Sequence, residues 1–390
     1  MMDFKQRILT ALNHEEPDRV PVMGLIAEPA TSNQILGKPP PAIASMLANP
    51  ELRNEIKDIM NSTWADLVYG NFADALEAAI KLGFDANWTT YTLMQVVEDP
   101  EPKLGLTLHD IHGRAWEMSA DEDGNVVMNY IRGLCPTEEE WDAWVERKNP
   151  LYDEFIKGAA DHHKKLADNY CDRILPIGYT SVGIFSSTWQ QMGFVNFAKY
   201  VYQKRDFVKK VIAFQTDLYL KYLDAIMKSG VEVVVGEDDL GQKTGPLMRP
   251  ELIEKLFGDS YRRVSELVHK QNKKLIWHSC GNIYLFLDKF VEWGFDGLLT
   301  MEPTAGMELG RVREQVGHKL FLIGNLDVSY LLVRGTREEV EDAVKKAIRD
   351  AARGGGYILS QSHTHSAVDP TRLNWMIEAA HKYGKYPISI

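Results

Sequence analysis

His278 and Cys280 stand two residues apart at the end of an apolar run, KKLIWHSCG (273–281). In a β-strand, residues i and i+2 point to the same side, so this imidazole and this thiol would lie next to each other. Nitrogen and sulfur are the donor atoms that Zn²⁺ prefers in proteins, and the spacing therefore predicts a zinc site. A core histidine that packs beside a buried cysteine is the structural alternative.

Other ligand-type residues follow neighbouring apolar runs in the same half of the chain. Glu237 ends one such run, and His363 ends another. Both could complete the coordination of the metal, and His365 could replace His363 because these two are again two residues apart. Glu237 could instead donate a proton, as could Asp239. The predicted metal ligands are therefore His278, Cys280, His363 and Glu237, and the candidate catalytic acids are Glu237 and Asp239.

Polar side chains near the ends of these runs have structural as well as functional interpretations. Asp238 and Asp239 could cap the helix that follows them, or they could take part in the chemistry. Asp327 is expected to fix a turn rather than to bind substrate. Asn325 and Glu302 occupy similar positions after their own runs, and we expect them to contact the substrate.

The elements that precede these residues must position them. Over residues 231–384, short apolar runs alternate with stretches of helical periodicity, which predicts parallel βα units. The predicted strands are 19–26, 65–70, 172–180, 231–237, 273–281, 296–303, 320–327 and 356–363. We predict an α/β fold, a single (β/α)8 TIM barrel over residues 1–390 with an N-terminal extension. An open doubly wound sheet is the alternative.

Residues 107–131 do not follow this rhythm. Apolar and polar residues alternate there on both sides of an Asp-Gly-Asn sequence, and this pattern predicts a β-hairpin inserted into the barrel. Clusters of proline and acidic residues around 99–103 and 135–150 bound the insertion.

The composition excludes several classes of function. The chain has 390 residues, with 44 Lys and Arg against 55 Asp and Glu, and its net charge is −11. So acidic a chain offers no broad basic surface, and we expect neither nucleic acid nor a membrane as a primary partner. The sequence contains no apolar run of membrane-spanning length and no signal-peptide pattern at its N-terminus. Its 3 cysteines are too few for a disulfide scaffold, and we expect a cytoplasmic location.

Five segments in chain order together resemble the uroporphyrinogen decarboxylase superfamily. They are EEPDRVPV (15–22), GEDDLGQKTGPLMRPE (236–251), HSCGNI (278–283), GNLD (324–327) and GGYILSQSH (355–363). The resemblance spans nearly the whole chain and implies one (β/α)8 barrel with its active site at the carboxyl ends of the strands.

The resemblance also bears on the substrate. Uroporphyrinogen decarboxylases carry an arginine-rich R-Q-A-G-R motif after the first strand, which grips the carboxylates of the porphyrinogen. The corresponding stretch here, VPVMGLIAEPATSNQILG (20–37), contains no arginine. Carboxylate groups need cationic partners, and this departure counts against a porphyrinogen substrate.

A second branch of the superfamily, the cobamide-dependent methyltransferases, is similar to this chain in its His-x-Cys motif, matched by His278 and Cys280. Members that act on coenzyme M have a further zinc-binding cysteine near the C-terminus. The matching stretch, YILSQSHTHS (357–366), has no cysteine, and His363 is the best substitute. With one thiolate instead of two, zinc is the stronger Lewis acid and suits activation of a leaving group.

The resemblance therefore implies an enzyme that moves a methyl group from a small donor to the Co(I) of a corrinoid (cobalamin) carried by a partner protein. The expected donor is a methyl ether, an aromatic one included. Tyr179 and Trp189, and also Trp277, lie near strand ends and could pack against such a donor. The alternatives are a methylcobamide:thiol methyltransferase of the coenzyme M type, a metal-free decarboxylase-like lyase, and a non-catalytic binding protein.

Overall fold

Eight parallel strands close into a barrel in the computed structural model, which describes residues 2–39, 42–47, 49–97, 105–121 and 125–390. Around the barrel, each strand pairs with the next barrel strand in the sequence, and the last pairs with the first. In chain order, the strands are β1 (Val22–Gly24), β2 (Ala86–Thr90), β3 (Met94–Val97), β4 (Leu106–Asp110), β5 (Arg114–Ala120), β6 (Val126–Gly133), β7 (Leu175–Tyr179), β8 (Val233–Glu237), β9 (Gly241–Gln242), β10 (Gly245–Pro246), β11 (Lys274–Ser279), β12 (Gly297–Thr300), β13 (Phe321–Leu326) and β14 (Tyr357–Gln361). The barrel consists of β1, β2, β7, β8 and β11 to β14.

Helices connect the barrel strands and cover the outside of the barrel. In chain order they are α1 (Phe4–Leu12), α2 (Pro29–Leu36), α3 (Ala42–Leu47), α4 (Arg53–Leu82), α5 (Glu138–Tyr170), α6 (Ile184–Met192), α7 (Phe194–Gln203), α8 (Arg205–Lys228), α9 (Pro250–Lys270), α10 (Leu287–Glu292), α11 (Leu309–Val316), α12 (Leu331–Arg334), α13 (Arg337–Ala351) and α14 (Pro370–Tyr383). The predicted (β/α)8 TIM barrel is therefore confirmed. Among the described helices, none has the length and apolar character needed to cross a bilayer.

The prediction of a strand at 65–70 is wrong, because these residues lie inside the long helix α4. Further along the helix, Phe72, Leu76 and Ala79 are buried at helical spacing. A six-residue window was too short to separate this period from that of a strand.

The second barrel strand is β2, whose sequence ANWTT is too polar to resemble a buried strand. Both polar groups of the Asn87 amide form hydrogen bonds with the backbone of Ile26. The Asn87 Oδ1 accepts from the Ile26 N–H, and the Asn87 Nδ2 donates to the Ile26 carbonyl, both at 3.0 Å. Such pairing makes a buried polar side chain tolerable within a core.

Alternate residues of each strand fill the inside of the barrel. This inner core includes Ile177, Val235, Ile276 and Ile323, all of which are fully buried. At the N-terminal end of the barrel, α1 adds Ile8 and Leu12 to this same core. Because the interior is packed and closed at that end, only the opposite end, where the strands finish, can receive a ligand.

The predicted hairpin at 107–131 is part of a larger insertion, a four-stranded antiparallel sheet in the order β3-β4-β5-β6. Its β5 and β6 flank the predicted turn, but residues 122–124 of that turn lie outside the described residues, as do residues 99–103. Met94, Leu108 and Met118 of the sheet pack with Ile56 and Met60 of α4 in a core of their own.

A buried carboxylate ties the N-terminal segment to β2. Asp85 accepts hydrogen bonds from Arg7 Nη1 at 2.6 Å, from Arg19 Nη1 at 2.7 Å and from the Val22 N–H at 2.9 Å. Asp85 is only 2% exposed, and it joins the two arginines in one buried network, in which Arg7 Nε also pairs with Asp18 at 2.7 Å.

Candidate metal centre

His278, Cys280 and His363 converge at the carboxyl ends of the barrel strands. One donor atom from each residue lies within 4.8 Å of the others. The Cys280 Sγ is 3.3 Å from the His278 Nε2, and the two imidazole rings are 5.9 Å apart between centroids. Two residues come from β11 and its end, as the i, i+2 spacing predicted, and the third comes from the loop after β14.

A backbone hydrogen bond fixes the orientation of His363. Its Nδ1 lies 2.9 Å from the Thr364 carbonyl oxygen, which can only accept, so Nδ1 carries the proton and Nε2 is left as a ligand atom. His365 is exposed, and its Nδ1 accepts from the Ala367 N–H at 3.0 Å. Of the two alternatives for the last histidine ligand, His363 is the one that the structure brings to His278 and Cys280.

The surroundings of these ligands suit a divalent cation. Burial lowers the pKa of His278, so the imidazole is in its neutral, metal-binding form. Burial, followed by the nearby Asp239 and Glu302 carboxylates, raises the pKa of the Cys280 thiol well above its usual range. A thiol enclosed by acidic groups loses its proton readily only when a metal supplies positive charge. The set of two imidazoles and one thiolate fits zinc and leaves a fourth position for a ligand of the reaction.

Glu237 lies beside this cluster, opposite His278 in the β8–β11 register. Its carboxylate accepts a hydrogen bond from the Tyr179 hydroxyl, and the Tyr179 ring meets the His278 ring edge-on at 5.7 Å. Burial, and then the charges of Asp239 and Asp238, raise the pKa of Glu237 well above its usual range. A carboxyl group of this kind holds a proton that it could donate.

Asp238 caps a helix, although not the one expected. It accepts from the Phe185 N–H at 2.9 Å and from the Ser186 N–H at 2.7 Å, both in the first turn of α6, which precedes β8. The Tyr261 hydroxyl donates to it at 2.9 Å. Burial raises the pKa of Asp238 to about 7, although these donors oppose the shift.

Asp239 and Glu302 hold the backbone around Cys280. Asp239 Oδ1 accepts from the Cys280 N–H at 2.8 Å and lies 3.8 Å from the His278 Nε2. Glu302 Oε2 accepts from the Gly281 N–H at 2.8 Å. Both carboxylates therefore fix the segment that carries the thiol.

The side chains of Asn325 and Asp327 form hydrogen bonds with backbone groups near the carboxyl ends of the strands. Asn325 Nδ2 donates to the Met301 carbonyl at 2.8 Å. Asp327 accepts from the N–H groups of Ser329 and Tyr330, at 3.0 Å and 2.8 Å, as its turn interpretation predicts. Burial would raise the pKa of Asp327, but the backbone donors outweigh it and lower the pKa.

The two tryptophans lie in packed surroundings. The ring of Trp189, on α6, meets two other aromatic rings edge-on. Its centroid is 6.0 Å from that of Tyr130 and 5.4 Å from that of Phe194. Trp277 is fully buried and stacks on Phe295 at 4.1 Å. As the neighbour of His278 along β11, Trp277 faces the surrounding helices and not the barrel interior.

Sequence reasoning missed Glu28, which follows β1 and directly precedes α2. Its Oε1 accepts from the Thr364 hydroxyl at 3.2 Å, one residue beyond His363. Burial raises the pKa of Glu28, and His363 and His365 oppose the shift. Its position is the signal that could have identified it, because functional polar residues follow the strands of such barrels and Glu28 follows the first strand.

Gly183 permits the close approach of α6 to the site. A Cβ there would lie 1.8 Å from the Glu237 carbonyl oxygen and 2.2 Å from the Asp238 carboxylate. We expect Gly183→Ala to lower the free energy of unfolding by about 1–3 kcal/mol because the backbone of Glu237 must move. Thermal unfolding measures this change. Gly70→Ala is the control, since its Cβ meets no atom within 4 Å; an equal loss in both variants would contradict the explanation.

The fold and the site together define a class of protein, a (β/α)8 barrel with metal-type ligands at the carboxyl ends of its strands. The model of the family "Uroporphyrinogen decarboxylase (URO-D)" matches residues 137–383, and the chain belongs to this family.

Relatives of known type match parts of the chain. The uroporphyrinogen decarboxylase of Mannheimia succiniciproducens is 25% identical over 197 residues, which are 49% of this chain and 53% of that protein. The uroporphyrinogen decarboxylase of Shewanella pealeana is 33% identical over 99 residues, which are 25% of this chain and 27% of that protein. The chain thus spans about half the length, or less, of these curated relatives.

A solved structure described as a methyltransferase from Methanosarcina mazei superposes on the whole barrel. Its TM-score is 0.69 with 18% sequence identity, and the match covers 98% of this chain and 99% of that one. The two proteins therefore share a fold over essentially their full lengths.

Proposed function

We propose that the chain is a zinc-dependent methyltransferase, which moves a methyl group from a small donor, a methyl ether, to the Co(I) of a corrinoid protein. The observation that carries this proposal is the convergence of His278, Cys280 and His363 within 4.8 Å at the open end of the barrel. The shared fold with a methyltransferase supports it as well.

The charges around the site favour methyl transfer over decarboxylation of a porphyrinogen. No arginine lies in residues 20–37, after the first strand. Arg114 is one cation whose charge reaches Glu237, and Lys243 lines a cleft beside Cys280 and Glu302. The Arg114 side chain is already used, because its Nη1 donates to Gln190 at 2.7 Å and its Nε pairs with Asp110. A porphyrinogen with several carboxylates would need more cations than this.

The reaction breaks the C–O bond of the donor and forms a C–Co bond. Co(I) supplies the electron pair for the new bond, while the C–O pair stays on the leaving oxygen, which takes up a proton. A zinc ion held by His278, Cys280 and His363 would supply Lewis-acid stabilisation of the charge on that oxygen. The difficulty lies in the leaving group, since a phenol has a pKa of about 10 and its anion is expelled slowly without help.

The residues of the chain would orient the donor and provide this proton. Glu237 is held in place by the Tyr179 hydroxyl and lies opposite His278, so its carboxyl group is the first candidate acid. Asp239, which is exposed and bonded to the Cys280 N–H, is the second candidate. Glu302 would keep the Cys280 segment fixed through the Gly281 N–H.

Substitution of Glu237 distinguishes an acid from a metal ligand. We expect Glu237→Gln, which keeps the shape of the side chain but cannot donate the proton, to lower kcat for methyl transfer by about 10²-fold or more. The metal content should be unchanged, because the described ligand cluster forms without this residue. Loss of the metal together with the activity would instead identify Glu237 as a ligand.

The function is tested by measuring metal content and methyl transfer on the same preparation. Purified, dialysed protein should contain about one zinc per chain. It should methylate Co(I) cobalamin from a methyl ether, followed by the change in the visible spectrum of the cobalamin. Thiol-dependent demethylation of methylcobalamin, without transfer from ethers, would favour the coenzyme M-type alternative. Protein that neither contains nor takes up zinc would contradict the proposal.

A further inference from the structure

An open cleft of about 430 Å³ lies beside the candidate metal centre, where the loops after β8, β11, β12 and β13 meet. Cys280, one of the three candidate metal ligands, is part of its wall, so a ligand in the cleft can extend toward the metal centre. The other side chains that line the cleft are mostly polar. They include Gln242, Lys243, Glu302, Thr304 and Ser329.

A short β-hairpin places Lys243 at the edge of this cleft. Lys243 lies in the turn between β9 and β10. The Gln242 carbonyl accepts from the Asn282 N–H at 2.9 Å. A Cβ at Gly281 would lie 2.5 Å from the Gln242 backbone nitrogen, so the two backbones are in close contact. The hairpin is therefore fixed against the segment that carries Cys280, and the backbone of Lys243 is fixed with it.

Lys243 supplies the positive charge of this wall. Its side chain is exposed and forms no ion pair with any residue that the structure describes. A carboxylate in the cleft would accept a charge-assisted hydrogen bond from its ammonium group. The exposed side chains of Gln242 and Thr304 can add neutral hydrogen bonds. The wall therefore suits the negatively charged end of a small ligand.

The acidic groups nearby limit such a ligand to one negative charge. Glu302 also lines the cleft, and its Oε2 accepts from the Gly281 N–H at 2.8 Å. The Glu302 carboxylate would repel a ligand with several carboxylates, for which a single ammonium group is too little. With one thiolate and two neutral imidazoles, a zinc ion at the centre would keep a net positive charge, which favours one nearby carboxylate.

We propose that the cleft is a carboxylate-binding subsite, and that Lys243 makes the enzyme select methyl donors that carry one carboxylate group. The word donor rests on the proposed function, but the subsite rests on the cleft and on the anchored hairpin alone. The donor would place its carboxylate at Lys243 and its methoxy group toward Cys280 and the metal centre. Lys243 is thus a specificity-determining residue that takes no part in bond breaking.

A pair of ligands with the same shape and different charge tests the subsite. 4-Methoxybutanoate carries a carboxylate, and 4-methoxybutanamide replaces it with a neutral amide of similar size. Titrations of the purified, dialysed protein, followed by the methoxy resonance in proton NMR, measure both dissociation constants. We expect the carboxylate to bind about tenfold more tightly, because a hydrogen bond to a charged group contributes a factor of about this size.

Substitution of Lys243 should remove this preference. We expect Lys243→Met to bind the two ligands with similar affinity, and Lys243→Arg to keep the preference for the carboxylate. Lys270→Met is the matched control, because Lys270 is also exposed but ends α9, which leads into the start of β11 at the opposite end of the barrel. Absence of carboxylate binding, equal affinities in the unmodified protein, or an unchanged preference in Lys243→Met would each overturn the inference.

Methyl transfer separates this inference from the proposed function. Transfer to Co(I) cobalamin is compared for 4-methoxybutanoate and 4-methoxybutanamide. Binding of the carboxylate that depends on Lys243, without transfer from either ether, would overturn the proposed function and keep the subsite. Transfer with equal kcat/KM from the two ethers, without preferential binding of the carboxylate, would overturn the subsite and keep the function.

Discussion

Replacing both His278 and Cys280 with alanine is expected to remove zinc from the protein and to reduce kcat/KM for methyl transfer by about three orders of magnitude or more. Two of the three converging ligands are lost in this variant, and a single histidine cannot retain the metal. Lewis-acid stabilisation of a leaving group contributes several kcal/mol, which corresponds to a rate factor of this size. Metal analysis and the Co(I) cobalamin assay on one preparation measure both effects.

A matched pair of single variants provides the control for this experiment. His363→Ala should lose zinc, whereas His365→Ala should keep it, because His365 is exposed and lies outside the described cluster. The substitution is the same and the two positions are two residues apart, so a general effect on folding would appear in both. Full methyl transfer by the double variant would contradict the metal-dependent mechanism.

The largest effect on stability is expected from Asp85→Ala, with a loss of about 3–5 kcal/mol in the free energy of unfolding. The carboxylate is 2% exposed and accepts hydrogen bonds from Arg7, Arg19 and the Val22 N–H. Its removal leaves the Arg19 guanidinium and the Val22 N–H without this partner, and Arg7 keeps only Asp18 as its carboxylate partner. Urea unfolding followed by circular dichroism measures the change.

An exposed ion pair serves as the comparison for Asp85. Asp168 pairs with Lys164 one helical turn away at 2.9 Å, and the two side chains are 59% and 64% exposed. We expect Asp168→Ala to cost no more than about 0.5 kcal/mol because water already solvates both charges. Equal effects of the two substitutions would show that burial of Asp85 does not determine its contribution to the free energy of unfolding.

Much of the fold follows from patterns that the sequence displays directly. Parallel strands buried on both faces produce continuous apolar runs, and these located β7, β8 and β11 to β14 without any tertiary information. The exceptions are instructive. β2 was hidden because its polar Asn87 forms hydrogen bonds with the backbone of Ile26, just after β1, a contact that no local window contains.

The part of the candidate site that lies on a single strand could be predicted from the sequence. The spacing of His278 and Cys280 carried the inference, since alternation along one strand is a local property. The choice between His363 and His365 depended on the path of the loop after β14, which local periodicity does not specify. Likewise, Asp238 caps a helix that lies before it in the sequence, because α6 returns to the end of β8 only in three dimensions.

The closure of the barrel has a consequence for the biogenesis of the protein. Met23 of β1 lies opposite Ser360 of β14, so during translation one edge of β1 stays open until the last barrel strand has left the ribosome. Open strand edges are templates for association with other chains, and such distant pairing is slow. His363 lies in the same late segment, so nascent chains are expected to need protection by chaperones until β14 pairs with β1, and His363 can join His278 and Cys280 only after that pairing.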